Sequence, residues 1–175
     1  MRIISGTHKG RRISVPKKLL VRPTTDRSKE GLFNILQHRL DFKSLHALDL
    51  FSGTGNISYE FASRGVAQVT AVDQNRDCMN FIKNKAIDLG LAIDSLQSDS
   101  FTFLKKNSTH YDIIFGDPPY NWEVEAYFNL IIEAKKSLNN SGLIILEHSN
   151  FIDLSSGESF DFSRTYGGSV FSFFE

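Results

Sequence analysis

The chain has 175 residues, of which 41% are hydrophobic and 23% charged, values close to those of ordinary globular proteins. This length supports a core that needs no disulfide or metal. Cys78 is the single cysteine, which excludes an internal disulfide and a cysteine-cluster metal site. The longest aliphatic run, 143–146, is far shorter than the roughly 20 residues of a membrane helix. We therefore expect a cytoplasmic protein with one domain over residues 1–175 and no metal.

The net charge of zero conceals an uneven distribution. The first 39 residues carry a net charge of +8, with only Asp26 and Glu30 acidic, and the remainder carries −8. A basic segment on an acidic body is typical of a phosphate-binding surface, and a mobile solvated tail is the alternative. Two short strand-like pieces, 2–6 and 12–15, predict a β-hairpin, so residues 1–40 are interpreted as a folded basic extension.

A helix is predicted after this hairpin. Thr24 or Thr25 can cap its start, and apolar residues recur at helical spacing up to about residue 40. Three basic residues cluster near its start: Arg22, Arg27 and Lys29. A positive helix N-terminus with such neighbours suits an anion, although ordinary surface charge gives the same pattern.

Strand-like and helix-like segments alternate from residue 46 onward, which is typical of an α/β protein with a parallel sheet. The predicted strands cover 47–51, 67–72, 92–97, 112–116 and 143–147. The predicted helices cover 55–64, 76–89, 100–106 and 124–138. The C-terminal segments 159–166 and 169–174 flank Gly167-Gly168 and predict an antiparallel hairpin. The expected fold is a seven-stranded, mostly parallel sheet.

The most informative stretch is Asp117-Pro118-Pro119-Tyr120, which follows the apolar run 113–115. Proline lacks the backbone donor and fixes φ, so the strand must end here. The acid and the tyrosine then project from a stiff loop at the strand end. A structural turn is the alternative interpretation of the tetrapeptide alone.

A second motif, residues 49–55, follows the first core strand. Gly53 and Gly55 allow the backbone to approach a ligand closely. Asp73 ends the next strand, where an acid can bind two ribose hydroxyls. Phe51, Gln74 and Ser100 flank these positions and complete the predicted ligand site. In an open parallel sheet, ligands bind at the carboxyl ends of the strands, where all of these residues lie.

Several roles stay open at this point. Asp99 could accept from an adenine amino group or cap the helix that follows it. Asp49 could face a ligand ammonium or make a buried structural bond, and His148 fits a packed side chain better than a functional one. The third glycine of a dinucleotide motif is replaced by Ser58. Adenosine without a diphosphate, with a sulfonium at its far end, therefore fits better than a nicotinamide dinucleotide.

The motifs together resemble a known fold and family. Asp49 to Gly55, Asp73, Asp99, Asp117 to Tyr120 and the terminal hairpin resemble the Rossmann-like class I methyltransferase fold, in the branch with the D/N-P-P-Y signature. The N-terminal sequences Met1-Arg2-Ile3-Ile4-Ser5-Gly6, Gly10-Arg11-Arg12, Arg22-Pro23-Thr24 and Asp26-Arg27 resemble the RsmD-like family. The loop positions Ser52 and Thr54 differ from the alanine and serine often found there.

The resemblance implies S-adenosylmethionine as cofactor and methylation of a guanine N2 amine in 16S ribosomal RNA, at guanine 966 in that family. It implies a monomer acting on 16S ribosomal RNA or the assembling small subunit. The implied catalytic residues are Asp117, Pro118, Pro119 and Tyr120. The implied cofactor residues are Asp49, Phe51, Gly53, Gly55, Asp73, Gln74, Asp99 and Ser100. The implied RNA contacts are Lys9, Arg11, Arg12, Arg22, Arg27 and Lys29. Adenine N6, a protein glutamine amide, or a non-catalytic RNA-binding role remain alternatives.

Overall fold

The structure, a computed structural model, describes residues 1–19 and 24–175. A helix, α1 (Asp26–Arg39), precedes the alternating part of the chain. The alternating elements are β1 (His46–Leu50), α2 (Asn56–Ser63), β2 (Gln68–Asp73), α3 (Arg76–Leu89), β3 (Ile93–Gln97), α4 (Ser100–Lys106), β4 (Tyr111–Gly116), α5 (Val124–Lys135) and β5 (Leu138–Ser149). The chain ends with β6 (Phe160–Tyr166) and β7 (Ser169–Phe174). Within the described residues, no helix is long and apolar enough to cross a membrane.

The strands form one sheet in the order β3-β2-β1-β4-β5-β7-β6. Strands β1 to β5 are parallel, β7 is antiparallel to β5, and β6 is antiparallel to β7. This confirms the predicted seven-stranded, mostly parallel sheet with an antiparallel C-terminal hairpin. The chain runs outward from β1 to β3 and then returns to the other side of β1 as β4. The carboxyl ends of β1 and β4 therefore border the crevice where ligands bind in such sheets.

Both faces of the sheet are covered, which explains why its central strands are continuously apolar. On one face, Ala47, Ile113 and Ile145 pack in a cluster that also contains residues of α1, α2 and α3. On the other face, Leu48, Ile114 and Ile144 pack in a cluster with residues of α4 and α5. Successive residues of each strand thus point to opposite clusters, and the whole width of the central sheet is buried.

The boundary between α5 and β5 differs from the predicted one. The helix was expected to reach Leu138 and the strand to begin at Leu143, whereas α5 ends at Lys135 and β5 begins at Leu138. Leu138 pairs with Tyr111 of β4, and the register shifts before Ile113 pairs with Leu143. The apolar spacing of Leu138 suits the helix, but the residues that follow it are poor helix formers, so strand pairing prevails.

The N-terminal hairpin is present in a shorter form than predicted. A single antiparallel bridge joins Arg2 to Arg12. The backbone of Ile3 donates to Arg11 and accepts from Gly10, each at 2.9 Å. The side chains of Ile3 and Ile13 are 1% and 5% exposed and belong to the core cluster that contains residues of α1, α2 and α3. The segment is therefore part of the folded protein and not a loose tail.

A buried ion pair attaches this segment to α1 and α2. Lys29 and Glu60 are 1% and 0% exposed, and their charged atoms lie 3.3 Å apart. The Glu60 carboxylate also accepts from the backbone N–H groups of Ile4 at 2.8 Å and Ser5 at 3.0 Å. The Lys29 ammonium donates to the carbonyl of Arg2 at 2.6 Å. Burial lowers the pKa of Lys29, and the adjacent Glu60 carboxylate opposes this shift.

These contacts correct the interpretation of Lys29 as an RNA contact. An ammonium at 1% exposure cannot reach a phosphate on the protein surface. Its three donors are directed to groups inside the protein, including the side-chain oxygen of Asn56 at 2.9 Å. Lys29 therefore holds the N-terminal segment in place and is left out of the proposed RNA surface.

Candidate active site

A cavity of about 440 Å³ lies at the carboxyl ends of β1, β2 and β4. Both sequence motifs reach it, although they are separated by more than sixty residues in the chain. The structure brings together all of the predicted catalytic and cofactor residues except Gly55: Asp49, Phe51, Gly53, Asp73, Gln74, Asp99, Ser100, Asp117, Pro118, Pro119 and Tyr120. Residues at the ends of several strands thus share one pocket.

The glycine loop, residues 51–55, connects β1 to α2. It begins at Phe51, whose φ of 60° turns the chain away from β1. Gly53 lines the cavity with a φ of 51°. Gly55, with a φ of 86°, caps the start of α2. A Cβ at Gly55 would lie 2.9 Å from side-chain atoms of Ile82 and Tyr59. This glycine is therefore needed for close packing. It does not line the cavity, whereas its neighbours Thr54 and Asn56 do, so its backbone contact with a cofactor stays a prediction.

Asp73 connects the glycine loop to the end of β2. One carboxylate oxygen accepts from the backbone N–H of Gly53 at 2.9 Å, and the other accepts from Asn75 at 2.8 Å. The carboxylate shapes the turn and also lines the cavity. Each carboxylate oxygen has a further lone pair, so Asp73 can still accept from a ligand hydroxyl.

Asp99 caps α4, as one of its two interpretations predicted. Its carboxylate accepts from the backbone N–H of Thr102 at 2.9 Å. The side chain also lines the cavity next to Ser100, so capping does not remove it from the ligand side. The structure thus places acidic groups from two neighbouring strand ends along one side of the pocket.

Asp49 is a buried carboxyl group at this site with a shifted pKa. It is 1% exposed and accepts a short hydrogen bond from the hydroxyl of Ser58. Burial raises the pKa of Asp49 from 3.8 to about 7, and the hydrogen bond from Ser58 opposes part of that rise. The buried structural bond considered for this residue is present, and the side chain still contributes to the cavity wall.

Replacing Asp49 by asparagine is expected to change how folding stability depends on pH. The folded protein retains a proton that the unfolded chain releases, so this group's contribution is present at low pH and is lost as the pH rises through about 7. Relative to wild type, the Asn variant should therefore gain stability as the pH rises from about 4 to about 7, and the difference should stay constant at higher pH. Urea unfolding at several pH values measures this difference. A difference independent of pH would contradict the raised pKa.

The Asp-Pro-Pro-Tyr loop leaves β4 directly at the cavity. The backbone N–H of Asp117 faces the carbonyl of Leu50 at 3.5 Å, and Trp122 donates to the carbonyl of Pro119 at 3.1 Å, which closes a turn. The hydroxyl of Tyr120 lies 3.3 Å from Glu147 and 2.9 Å from Ser169. Tyr120 is 37% exposed and also lines the cavity, so it lies at the mouth of the pocket.

Several residues that line the cavity were not predicted as site residues, and Trp122, Thr24 and Asn56 are the most informative of them. Trp122 packs parallel to Phe101 at 5.8 Å and edge-on to Phe51 at 5.3 Å, which forms an aromatic wall. The sequence signal that could have identified Trp122 is its position two residues after the Asp-Pro-Pro-Tyr motif. Thr24 and Asn56 also line the cavity, and the amide of Asn56 donates to the carbonyl of Thr24 at 2.9 Å. Their pairing depends on tertiary contacts that no local pattern indicates.

His148 adopts the packed arrangement that the sequence favoured. It is 2% exposed, with Nδ1 2.9 Å from the carbonyl of Ser149 and Nε2 2.8 Å from the hydroxyl of Ser172. Burial lowers its pKa, so the neutral ring is favoured. Within residues 1–19 and 24–175, no cluster of three or more His, Cys, Asp or Glu side chains could hold a metal ion.

The basic residues divide into two groups. Lys9, Arg11, Arg12 and Arg27 are exposed on the N-terminal segment and the first turn of α1. Lys29 is buried, as described above. Arg22 lies outside the residues that the structure describes. The exposed set is the part of the predicted RNA surface that can be placed.

Comparison with known proteins identifies the family. The family described as Conserved hypothetical protein 95 matches residues 1–175. Ribosomal RNA small subunit methyltransferase D of Escherichia coli K12 is 36% identical over 149 residues, covering 84% of this chain and 74% of that protein. The chain belongs to the RsmD family. A second member of that name, from Buchnera aphidicola, is 31% identical over 154 residues, covering 87% of this chain and 78% of that protein.

Solved structures show the same fold. A hypothetical protein of Thermus thermophilus superimposes with a TM-score of 0.86 at 26% identity, covering 100% of this chain and 99% of that one. A ribosomal protein L11 methylase from Lactobacillus delbrueckii has a TM-score of 0.68 at 18% identity, covering 87% and 80%. The second likeness concerns the fold alone. The RsmD-family chain therefore has the class I methyltransferase fold that its motifs predicted.

Proposed function

We propose that this protein methylates the exocyclic N2 amine of a guanine in 16S ribosomal RNA, using S-adenosylmethionine. The observation that carries the proposal is that the Asp117–Tyr120 loop and the glycine loop with Asp73 line one cavity. The family relatives named ribosomal RNA small subunit methyltransferase D support RNA as the substrate class. We place the protein in the cytoplasm, acting on 16S ribosomal RNA or the assembling small subunit.

The residues around the cavity fit S-adenosylmethionine. A volume of about 440 Å³ is in the range of small-molecule pockets. Asp73 can accept from ribose hydroxyls, Asp99 can accept from an adenine amino group, and Gly53 offers a backbone without a Cβ at the pocket wall. When bound, the cofactor supplies an electrophilic methyl group on a sulfonium. The aromatic wall formed by Phe51 and Trp122 can exclude water from the part of the pocket that it borders.

The catalytic task of the protein is to orient the amine. The N2 lone pair of guanine is delocalised into the ring, so the amine is a poor nucleophile. The Asp117 carboxylate and the Pro118 carbonyl can accept its two N–H bonds and stabilise the positive charge that develops on nitrogen. Pro118 and Pro119 keep these acceptors rigid, so little reorganisation is needed at reaction. Positioning of this kind can supply on the order of 7–11 kcal/mol.

The substrate base must leave its stack to reach this loop. Extrusion costs least for an unpaired base, which favours an RNA loop over a closed duplex. Tyr120, at the mouth of the pocket, can stack on the base, which is worth roughly 1–3 kcal/mol in single-strand recognition. The exposed cations of the N-terminal segment can hold flanking phosphates, which position the RNA without reading its sequence.

Nucleoside mass spectrometry tests this proposal. 16S ribosomal RNA from cells lacking the protein should lose one N2-methylguanosine. Incubation of that RNA, or of small subunits from those cells, with purified protein and S-adenosylmethionine should restore it. Appearance of N6-methyladenosine, or methylation of a protein glutamine, would replace guanine N2 by another acceptor. An unchanged nucleoside profile in both experiments would refute the proposed activity.

Replacing Arg11 and Arg12 together by alanine is expected to weaken RNA binding and flatten its dependence on salt. Both side chains are exposed on the N-terminal segment. Each phosphate that is no longer neutralised should reduce the slope of log K against log salt by roughly 0.7 for single-stranded RNA. Fluorescence anisotropy at several salt concentrations measures the slope.

The double variant Lys105→Ala and Lys106→Ala is the matched control. It removes the same charge from the end of α4 and should leave the slope unchanged. An unaltered slope for the arginine variant would exclude both residues from the RNA surface.

A further inference from the structure

Glu147 lies next to the pocket without being part of its wall. It belongs to the carboxyl end of β5 and is 2% exposed. Its carboxylate accepts from the hydroxyl of Thr24 at 2.8 Å and from the hydroxyl of Tyr120 at 3.3 Å. Both of these partners line the cavity, whereas Glu147 stands behind them. One buried carboxylate thus holds two pocket residues that are 96 positions apart in the chain.

The chemistry of a carboxylate determines the direction of these hydrogen bonds. The carboxylate oxygens of Glu147 accept, and the hydroxyls of Thr24 and Tyr120 donate to them. The single hydroxyl proton of Tyr120 is then used, and Ser169 donates to the Tyr120 oxygen across 2.9 Å. The tyrosine hydroxyl is held between β5 and β7 from two sides. The end of the ring is therefore fixed, and its orientation at the mouth of the pocket follows from that attachment.

The same carboxylate connects the acceptor side of the pocket to the cofactor side. Thr24 donates to Glu147 through its side chain and accepts from Asn56 through its backbone, at 2.9 Å. Asn56 is the first residue of α2, directly after the glycine loop, and accepts from Lys29 at 2.9 Å. A continuous polar chain therefore runs from α2 through Thr24 and Glu147 to Tyr120. It also includes the lysine that holds the N-terminal segment.

We infer that Glu147 is a positioning residue for the acceptor base, which it affects through Tyr120 and Thr24. This inference rests on the proposed function, because it concerns the base that Tyr120 receives. Without the carboxylate, the Tyr120 ring can rotate away from the productive orientation and Thr24 loses its side-chain anchor. The residues that face the cofactor, among them Asp73 and Asp99, make no direct contact with Glu147 among the described hydrogen bonds.

The test is Glu147→Gln, which keeps the size of the side chain and replaces one acceptor oxygen by a donor. We expect kcat/KM for RNA to fall by roughly tenfold, since misplacing a reacting group lowers the rate steeply. Affinity for S-adenosylmethionine, measured by calorimetry, should stay within about twofold. Ser172→Ala is the matched control, because it removes a buried hydrogen bond between β5 and β7 that involves His148 and not Tyr120. It should leave kcat/KM unchanged.

A double-variant experiment separates positioning from a general structural role. Tyr120→Phe removes the hydroxyl that Glu147 holds, so adding Glu147→Gln to it should lower kcat/KM by less than about threefold further. Independent, multiplicative losses would overturn the inference, as would a Glu147→Gln enzyme with wild-type kinetics. Thermal unfolding of each variant shows whether it is folded. If the wild-type protein itself methylates no RNA, the proposed function fails, whereas activity that is insensitive to Glu147 refutes only this inference.

Discussion

Replacing Asp117 by alanine is expected to reduce methyl transfer about a thousandfold, the upper range for removing one group that stabilises charge at a reacting centre. The side chain lines the cavity at the end of β4, in the rigid loop that contains Pro118 and Pro119. Alanine removes the acceptor that would orient the amine and stabilise its developing positive charge. The affinity for S-adenosylmethionine should stay within a few fold, since Asp73 and Asp99 are unchanged.

Asp117→Asn distinguishes the two contributions of this side chain. Asparagine keeps one oxygen that accepts from the amine but removes the negative charge, so its rate should lie between those of wild type and Asp117→Ala. Single-turnover methylation with excess enzyme measures the chemical step without product release.

Asp112→Ala is the matched control for Asp117, because it changes an aspartate at the opposite end of the same strand. Asp112 accepts from the backbone of His46 at 2.8 Å and from the side chain of Asn139 at 2.7 Å, so its removal should lower stability but not the rate. A rate for Asp117→Ala within tenfold of wild type would refute the proposed role of Asp117. A similar loss of rate in Asp112→Ala would indicate a general structural effect instead.

The sequence predicted the parts of this protein that depend on local pattern. Apolar runs followed by an acid predicted the strands β2 and β4, and the motif at residues 49–55 marked the end of β1. These three signals located the edge of the sheet where Asp49, Asp73 and Asp117 lie. The parallel arrangement then follows from the alternation of strands and helices, because consecutive parallel strands bring their carboxyl ends to one edge. Most of the candidate site could therefore be assigned before the structure.

The features that were missed depend on contacts between distant residues. Lys29 lies in a locally basic stretch, which indicated a surface position, but Glu60 and the carbonyl of Arg2 provide partners inside the fold. Glu147 accepts a hydrogen bond from Thr24, 123 positions away in the chain, so no local sequence pattern indicates its place beside the pocket. Leu138 suited the apolar face of α5 but pairs with β4 instead. Side-chain chemistry names the candidates, and tertiary packing decides which of them reach the site.

Replacing Glu60 by alanine is expected to lower the free energy of unfolding by about 3–5 kcal/mol, the usual cost of removing one partner of a buried ion pair. The change leaves the Lys29 ammonium at 1% exposure without its carboxylate. It also removes the acceptor for the backbone N–H groups of Ile4 and Ser5 and for Arg64 Nε at 2.8 Å. Buried donors without an acceptor each carry a further cost.

Lys29→Met should cost less than Glu60→Ala, because Glu60 keeps Arg64 and two backbone donors while methionine fills the space of the lysine stem. The double variant Lys29→Met with Glu60→Gln should be more stable than the sum of the losses from Lys29→Met and Glu60→Gln predicts, because it removes both charges of the Lys29–Glu60 pair and only Arg64, 6% exposed, loses its carboxylate partner. Urea unfolding followed by circular dichroism gives these free energies. Lys85→Met is the matched control on α3, where the ion pair with Asp88 is exposed and worth less than about 1 kcal/mol.

The Glu60 variant also tests whether the N-terminal segment acts as one body with the core. Glu60 is the side chain that receives the backbone of Ile4 and Ser5, so its loss should free this segment before the sheet unfolds. Hydrogen exchange in residues 1–15 should then increase more than in β1 and β4, and RNA affinity should fall because Arg11 and Arg12 lose their fixed position. A Glu60→Ala protein with wild-type stability and unchanged exchange in this segment would show that the buried carboxylate does not attach the basic segment to the catalytic core.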